Sequence, residues 1–122
     1  MNTIVLQDTD QDILYVLGFA LRQEGYIVHA TSSLDEHILE LIAEAKPHVV
    51  ILDYRMNGEN AIRACHLIPT LYPNLPVIAT SCNTNILKDY RAGGFDDYLD
   101  KPFDLNALDG LIRKHIAPVQ FI

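Results

Sequence analysis

Residues His48–Leu52 read HVVIL and are followed directly by Asp53. A short run of branched apolar side chains is typical of a β-strand that is covered on both faces, because such a strand exposes neither side to water. Four further short runs rich in strand-forming residues lie on either side of it along the chain: Thr3–Gln7, Tyr26–Ala30, Pro76–Thr80 and Asp96–Leu99. The sequence therefore predicts five strands.

Apolar residues recur at helical spacing after each run. The predicted stripes are Ile13, Leu17, Ala20 and Leu21; Leu34, Ile38, Leu41, Ile42 and Ala45; Ala61, Ala64, Cys65, Ile68 and Leu71; and Leu105, Leu108, Leu111 and Ile112. A weakly apolar fourth helix is expected at about Thr84–Ala92, before Gly93 and Gly94. Thr9 and Asp12 have the spacing of a helix-capping pair, and Asp104 can cap the last helix.

Strict alternation of strands and helices predicts an α/β fold, a doubly wound five-stranded parallel sheet with helices on both faces. With 122 residues, the chain is expected to be a single domain over residues 1–122. No apolar run approaches the roughly 20 residues of a membrane span, and the N-terminus does not resemble an export signal. We therefore expect a soluble cytoplasmic protein. Cys65 and Cys82 are interpreted as packing residues.

The formal net charge is -7, and lysines and arginines form no cluster. This charge disfavours direct binding to nucleic acid or to an anionic membrane. A cation or a basic protein partner fits the charge better.

Polar residues stand where four of the predicted strands end: Asp8, Asp53, Ser81 and Lys101. In a parallel α/β sheet the functional crevice lies beyond the carboxyl ends of the strands, so these side chains are expected to converge. Asp8 and Asp53 can share Mg²⁺, which prefers oxygen ligands. Ser81 and Lys101 can hold phosphoryl oxygens. Asp53 would then be the nucleophile that forms an aspartyl phosphate.

The remaining acidic residues and the histidines have ordinary explanations. Acids near strand ends are mostly helix caps or solvated charges, and we assign this role to Asp10, Asp12, Asp96, Asp97 and Asp104. The five histidines show no convergence along the sequence and are assigned to the surface or the core rather than to a metal site.

Three segments carry a family resemblance. AGGFDDYLDKPF (Ala92–Phe103), VVILDYRM (Val49–Met56) and LPVIATSC (Leu75–Cys82) are similar to the signature segments of the receiver domains of bacterial two-component response regulators. The resemblance extends over nearly the whole chain and implies the flavodoxin-like, CheY-like (βα)₅ fold.

The resemblance implies a role for each site residue. Asp53 would be the phosphoacceptor, Asp8 a direct Mg²⁺ ligand, and Arg55 a ligand through its main-chain carbonyl. Gln7 would lie in the outer shell of the metal. Further roles follow for Ser81 as the switch hydroxyl, Lys101 as the counter-charge of the phosphoryl group, and Tyr98 as the aromatic switch. The Lys101–Pro102 peptide bond is expected to be cis.

The family also implies partners. The phosphoryl donor would be a histidine kinase or phosphotransfer protein. The output would be a separate protein or a missing effector domain, contacted through the face of the fourth helix, fifth strand and fifth helix. The chain is expected to be a signalling phosphoacceptor rather than an enzyme, apart from promoting its own phosphorylation and dephosphorylation.

The sequence departs from the family pattern at three places. Gln7 replaces an acid, the stretch YRMNGENAI after Asp53 is shorter than the usual loop, and Cys82 replaces a smaller residue. These departures leave open a pseudo-receiver that works as an interaction module without phosphorylation. A flavodoxin-like enzyme or nucleotide binder is disfavoured, because Asp8, Asp10 and Asp12 stand where such a protein needs a Gly-rich or hydroxyl-rich phosphate-binding loop.

Overall fold

The computed structural model describes residues 2–53, 66–81 and 95–116. The strands are β1 (Thr3–Gln7), β2 (Ile27–Thr31), β3 (Val49–Asp53), β4 (Val77–Ser81) and β5 (Asp97–Asp100). The helices are α1 (Gln11–Gln23), α2 (Glu36–Ala45), α3 (described over residues 66–71) and α4 (Leu105–His115). Helix α4 is the fifth predicted helix. The predicted fourth helix, Thr84–Ala92, lies outside the described residues, as do Ala61–Cys65, Cys82, Gly93 and Gly94.

The five strands form one parallel sheet in the order β2-β1-β3-β4-β5. The predicted fold class is therefore confirmed. Strand β1 has the predicted bounds, and each of the other four begins and ends one residue later than predicted. The reason is main-chain pairing, which continues past the apolar run: Asp53 pairs with Thr80, and Ser81 pairs with Asp100. Two of the predicted site residues are thus held by the sheet itself.

Alternation along the strands divides the core between the two faces of the sheet. On one face, α2 and α3 contribute Ile38, Ile42 and Ile68, all essentially inaccessible to solvent. On the other face, α1 and α4 contribute the residues Leu17, Leu21, Leu108 and Ile112. Burial of each large side chain contributes about 1.5 to 3 kcal/mol. Strands β1, β3 and β4 are covered on both faces, as their continuous apolar runs predict. The same prediction is wrong for β2, which lies at the edge of the sheet and leaves Ile27 41% exposed.

Two stripe predictions are wrong in part. Leu71 and Leu105, which were expected to face the core, are 56% and 44% exposed. Leu71 is the last residue of α3 and Leu105 the first residue of α4. Helical periodicity therefore does not ensure burial at either end of a helix.

Of the two cap assignments near the first helix, that of Thr9 is wrong and that of Asp10 is confirmed. Asp10 is the N-cap of α1, and its side chain accepts hydrogen bonds from the main-chain N–H groups of Asp12 and Ile13. Thr9 lies one residue too early to cap and contacts Asp53 instead. Asp104 caps α4 as predicted, accepting a hydrogen bond from the N–H of Ala107. Within the described ranges, no helix has the length and apolar composition needed to cross a membrane.

Candidate functional site

The carboxyl ends of β1, β3, β4 and β5 lie side by side at one edge of the sheet. Asp8 follows β1, Asp53 and Ser81 end β3 and β4, and Lys101 follows β5. Asp8, Asp53 and Ser81 are each at most 2% exposed. Three charged groups and a hydroxyl-bearing residue are therefore placed, largely shielded from water, at the edge where the sequence predicts the site.

The ammonium group of Lys101 joins the two carboxylates directly. Its Nζ lies 2.6 Å from Oδ2 of Asp8 and 3.1 Å from Oδ1 of Asp53. Only 8% of the Lys101 side chain is exposed. Burial acts to lower the pKa of Lys101, but the hydrogen bonds to Asp8 and Asp53 outweigh burial, so its pKa is raised above the ordinary value. The ammonium group is therefore charged at neutral pH and compensates one of the two negative charges.

The loop after β1 adds two contacts to the carboxylates. The hydroxyl of Thr9 donates a hydrogen bond to Oδ2 of Asp53 at 3.0 Å. The main-chain N–H of Asp10 donates to Oδ1 of Asp8 at 2.8 Å. The hydrogen bond from Asp10 orients the Asp8 side chain. The Thr9 hydroxyl binds Oδ2 of Asp53, whereas Lys101 binds Oδ1. Sequence reasoning missed the contact with Thr9, although the position of Thr9 directly after Asp8 could have indicated it.

Gln7 contributes a buried carboxamide behind the carboxylates. Its Oε1 accepts a hydrogen bond from the main-chain N–H of Asp53 at 3.0 Å. Its Nε2 donates to the main-chain carbonyl of Ser32, in the loop after β2, at 3.4 Å. The residue is 1% exposed. The carboxamide thus connects three strand ends, and a place for Gln7 in the outer shell of a metal stays a prediction.

The remaining predicted site residues are placed only in part. The main-chain N–H of Lys101 donates to the carbonyl of Ser81 at 2.8 Å, which fixes the end of β5 beside β4. Tyr98 is half-buried and packs against the core face that contains Ile38. The Lys101–Pro102 peptide bond is cis, as expected. Arg55 lies outside the described residues.

The side chains present fit a magnesium ion. Asp8 and Asp53 direct carboxylate oxygens toward a single positive group, the Lys101 ammonium, and carboxylate oxygen is the ligand type that Mg²⁺ prefers. Among the described residues no group of three or more His, Cys, Asp or Glu side chains could hold a metal. Two carboxylates can suffice for Mg²⁺, because this ion usually keeps several waters and is bound through one or two carboxylates.

Comparison with known proteins identifies the class to which this fold and site belong. The family model of the response regulator receiver domain matches residues 4–113. The chain therefore belongs to the receiver domains of two-component response regulators, a family of signalling domains.

The chain is also similar to individual bacterial regulatory proteins. The chain is 36% identical over 117 residues to the DNA-binding transcriptional regulator NtrC of Rhizobium meliloti, a match that covers 94% of this chain and 24% of NtrC. It is 35% identical over 115 residues to the transcriptional regulatory protein YvcP of Bacillus subtilis, covering 93% of this chain and 48% of YvcP. This NtrC-like chain thus spans about a quarter to a half of the length of these bacterial relatives.

Solved structures agree on the fold. A response regulator receiver domain protein from Clostridium thermocellum has a TM-score of 0.83 and 25% identity, covering 95% of this chain and 94% of that chain. TrrA of Thermotoga maritima, determined in complex with Mg(2+)-BeF, has a TM-score of 0.83 and 22% identity, covering 95% of this chain and all of TrrA.

Proposed function

We propose that the chain is a phosphoacceptor that receives a phosphoryl group on Asp53 in a two-component pathway. The observation that carries this proposal is the shared contact of Asp8 and Asp53 with Lys101 in a nearly solvent-free crevice. A purely structural role would favour replacing a buried ion pair by apolar residues, which is often neutral or stabilising. Two buried carboxylates around one cation are better explained by chemistry that needs them.

In the proposed reaction a carboxylate oxygen of Asp53 attacks the phosphorus of a phosphohistidine on the donor. The P–N bond breaks, its electron pair returns to the imidazole, and an acyl phosphate forms on Asp53. The Lys101 ammonium is near enough to Asp53 to contact the oxygens of the new phosphoryl group once its present hydrogen bond to the Asp53 carboxylate is broken. The raised pKa of Lys101 keeps the ammonium charged, so that it can neutralise these oxygens. Mg²⁺, held by Asp8, Asp53 and the main-chain carbonyl of Arg55, would supply further charge neutralisation.

The signal would leave the site through β4 and β5. Ser81 is the last residue of β4. Two residues before it in β4, Ala79 pairs with Tyr98 of β5. A hydrogen bond from the Ser81 hydroxyl to the phosphoryl group would change the space available to the Tyr98 ring. We propose that this movement alters the face formed by the predicted helix Thr84–Ala92, β5 and α4. The partner there is a separate output protein or a further domain, since NtrC is itself a DNA-binding regulator.

A second surface suits the phosphoryl donor. Tyr15, Val16 and Phe19 of α1 are 74%, 57% and 56% exposed, although all three are large and apolar. Beside them a groove of about 520 Å³ is lined by Ile13, Val16, Leu17, Pro102 and Phe103 and reaches Lys101. Exposed apolar patches mark protein interaction sites. We propose that a histidine kinase or phosphotransfer protein binds here in the cytoplasm, within reach of Asp53.

The experiment that tests phosphorylation compares two aspartates. The wild-type protein is incubated with acetyl phosphate and Mg²⁺, and acyl phosphate on the intact protein is measured by mass spectrometry. Asp53→Asn is expected to abolish labelling, whereas Asp10→Asn is expected to retain it, because Asp10 caps α1. Equal loss in both variants would mean that the nucleophile is misassigned. An unlabelled wild-type protein would favour the phosphorylation-independent interaction module.

A further inference from the structure

Gln7 is the residue at which this chain departs from the acidic pattern of its family, and its side chain has two main-chain partners. The main chain of Gln7 pairs with Leu52 at the last rung of the β1–β3 ladder. Its side-chain Oε1 then accepts a hydrogen bond from the N–H of the next residue of β3, Asp53, at 3.0 Å. The side chain therefore extends the ladder by one residue, to the residue that carries the reactive carboxylate.

The second partner explains why a carboxamide stands at this position. The Nε2 group of Gln7 donates to the carbonyl of Ser32, between β2 and α2, at 3.4 Å. A carboxylate could accept from Asp53 but could not donate to Ser32, and its charge would face the negative end of that carbonyl dipole. No buried side-chain nitrogen or oxygen in the described part of the chain lacks a partner. Of these two side chains, the carboxamide satisfies both contacts at neutral pH and the carboxylate does not.

We propose that Gln7 is a positioning residue that holds the main chain of Asp53 and ties it to the loop at Ser32. This inference rests on the proposed role of Asp53 as phosphoacceptor. Gln7 contacts no reacting atom. It acts because reactivity depends on placing the attacking oxygen accurately, and a small displacement of a reacting group is costly in rate.

The test uses two substitutions that separate the contacts. Gln7→Met keeps an unbranched buried side chain but removes both hydrogen bonds, whereas Gln7→Glu keeps an acceptor for Asp53 and removes the donor to Ser32. Thr80→Val is the matched control. In the wild type, Thr80 is buried like Gln7, and its hydroxyl donates to the carbonyl of Leu52 at 3.3 Å. The substitution removes this neighbouring hydrogen bond but leaves the bond from the N–H of Asp53 to Gln7 in place.

The first measurement is amide hydrogen exchange in the metal-free protein, followed by NMR. Gln7→Met is expected to accelerate exchange at Asp53 by about tenfold relative to Ile51 in the same strand, as for loss of one buried hydrogen bond. Gln7→Glu is expected to keep Asp53 protected while shifting the resonances of Ser32 and Ser33. Thr80→Val is expected to leave the ratio of the amide exchange rates of Asp53 and Ile51 unchanged.

The second measurement is the initial rate of labelling by acetyl phosphate at saturating Mg²⁺. A positioning role predicts a lower maximal rate in Gln7→Met with little change in the acetyl phosphate concentration at half-maximal rate. The proposal is overturned if exchange at Asp53 rises no more than at Ile51, or if Thr80→Val reproduces both effects. If Gln7→Met does not fold, Gln7→Glu becomes the deciding variant. Unchanged resonances of Ser32 and Ser33 in Gln7→Glu would then overturn the proposal.

The two hypotheses fail in different ways. If the wild-type protein is never labelled, the proposed function fails, yet the exchange ratio at Asp53 still decides whether Gln7 holds this main chain. If the wild-type protein is labelled and the ratio is unaffected, only the role of Gln7 fails.

Discussion

The hydroxyl of Thr9 donates a hydrogen bond to Oδ2 of Asp53, 44 residues further along the chain, at 3.0 Å. The other carboxylate oxygen, Oδ1, accepts from Lys101. The Asp53 carboxylate is therefore held from two directions, by the loop after β1 and by the residue after β5. These two contacts fix the orientation of the carboxylate.

Removing the Thr9 contact should weaken the resting structure. Thr9→Val is expected to lower the free energy of unfolding by about 1 kcal/mol, the typical contribution of one hydrogen bond. Urea denaturation of the metal-free protein measures this change. A double-mutant cycle with Asp53→Ala, which removes the acceptor, should show coupling between the two sites of at least about 0.5 kcal/mol. Strictly additive effects would show that the contact contributes nothing in solution.

Removing the Lys101 cation should destabilise the metal-free protein by more. Lys101→Met leaves Asp8 and Asp53 without their shared positive charge, and breaking a buried ion pair from one side costs about 3 to 5 kcal/mol. Since a divalent cation can replace the ammonium, Mg²⁺ is expected to raise the melting temperature of Lys101→Met more than that of the wild type. Melting curves in EDTA and in Mg²⁺ measure both effects.

The control for this prediction is Lys114→Met. The Lys114 side chain is 63% exposed and pairs with Asp97, so its loss should change stability by less than about 1 kcal/mol and should not alter the response to Mg²⁺. Equal stabilisation of both variants by Mg²⁺ would contradict the placement of the cation between Asp8 and Asp53.

Asp97 predicts a pH dependence away from the site. Its Oδ2 lies 2.7 Å from Nε2 of His115 and 3.0 Å from Nζ of Lys114. These two contacts join β5 to the end of α4. Burial acts to raise the pKa of Asp97, but hydrogen bonds from His115 and Lys114 outweigh it, so its pKa lies below the ordinary 3.8. A carboxylate with a lowered folded-state pKa stabilises the protein above the unfolded-state pKa, and this stabilisation is lost as the pH falls through the folded-state pKa.

Asp97→Asn is therefore expected to cost about 1 kcal/mol at neutral pH. The difference from wild type should shrink below pH 3.8, where the wild-type carboxyl group is also becoming protonated. Urea unfolding at pH 7 and at about pH 3 measures the difference. Glu44→Gln, an exposed substitution on α2, should show no comparable difference between the two pH values. A constant difference for Asp97→Asn would contradict the ion-pair explanation.

Switching should be visible in the backbone. Beryllofluoride with Mg²⁺, used as a mimic of the aspartyl phosphate, is expected to shift NMR resonances from Ser81 to Lys101 more than those from Leu14 to Ala45. Ser81→Ala should suppress the part of the response that is distant from Asp53, because it removes the hydroxyl expected to bind the phosphoryl group. Shifts limited to the surroundings of Asp53 would favour the interaction module without a switch.

Docking of the donor on α1 can be separated from the chemistry at Asp53. Phe19→Glu is expected to slow phosphoryl transfer from the cognate kinase while leaving labelling by acetyl phosphate unchanged, because a charge replaces an exposed apolar contact. Leu71→Glu is the matched control, since Leu71 is as exposed as Phe19 but lies at the end of α3. Equal slowing by both variants would locate the donor elsewhere.

The sequence by itself determined the fold and the order of the charged residues. Continuous apolar runs such as Val49–Leu52 favour strands covered on both faces, and strand–helix alternation then favours a parallel sheet whose carboxyl ends share one edge. This is why Asp8, Asp53 and Lys101 could be expected to meet although they are far apart along the chain.

Only the tertiary structure decided how the polar side chains divide their hydrogen bonds. Both Thr9 and Asp10 were possible caps by their position in the sequence, and the structure shows that Asp10 caps α1 while the Thr9 hydroxyl contacts Asp53. Gln7 similarly read as a lost acid, whereas its carboxamide connects Asp53 to Ser32. Periodicity specifies which face a side chain occupies, but its hydrogen-bond partners depend on distances between strands that pairing alone establishes.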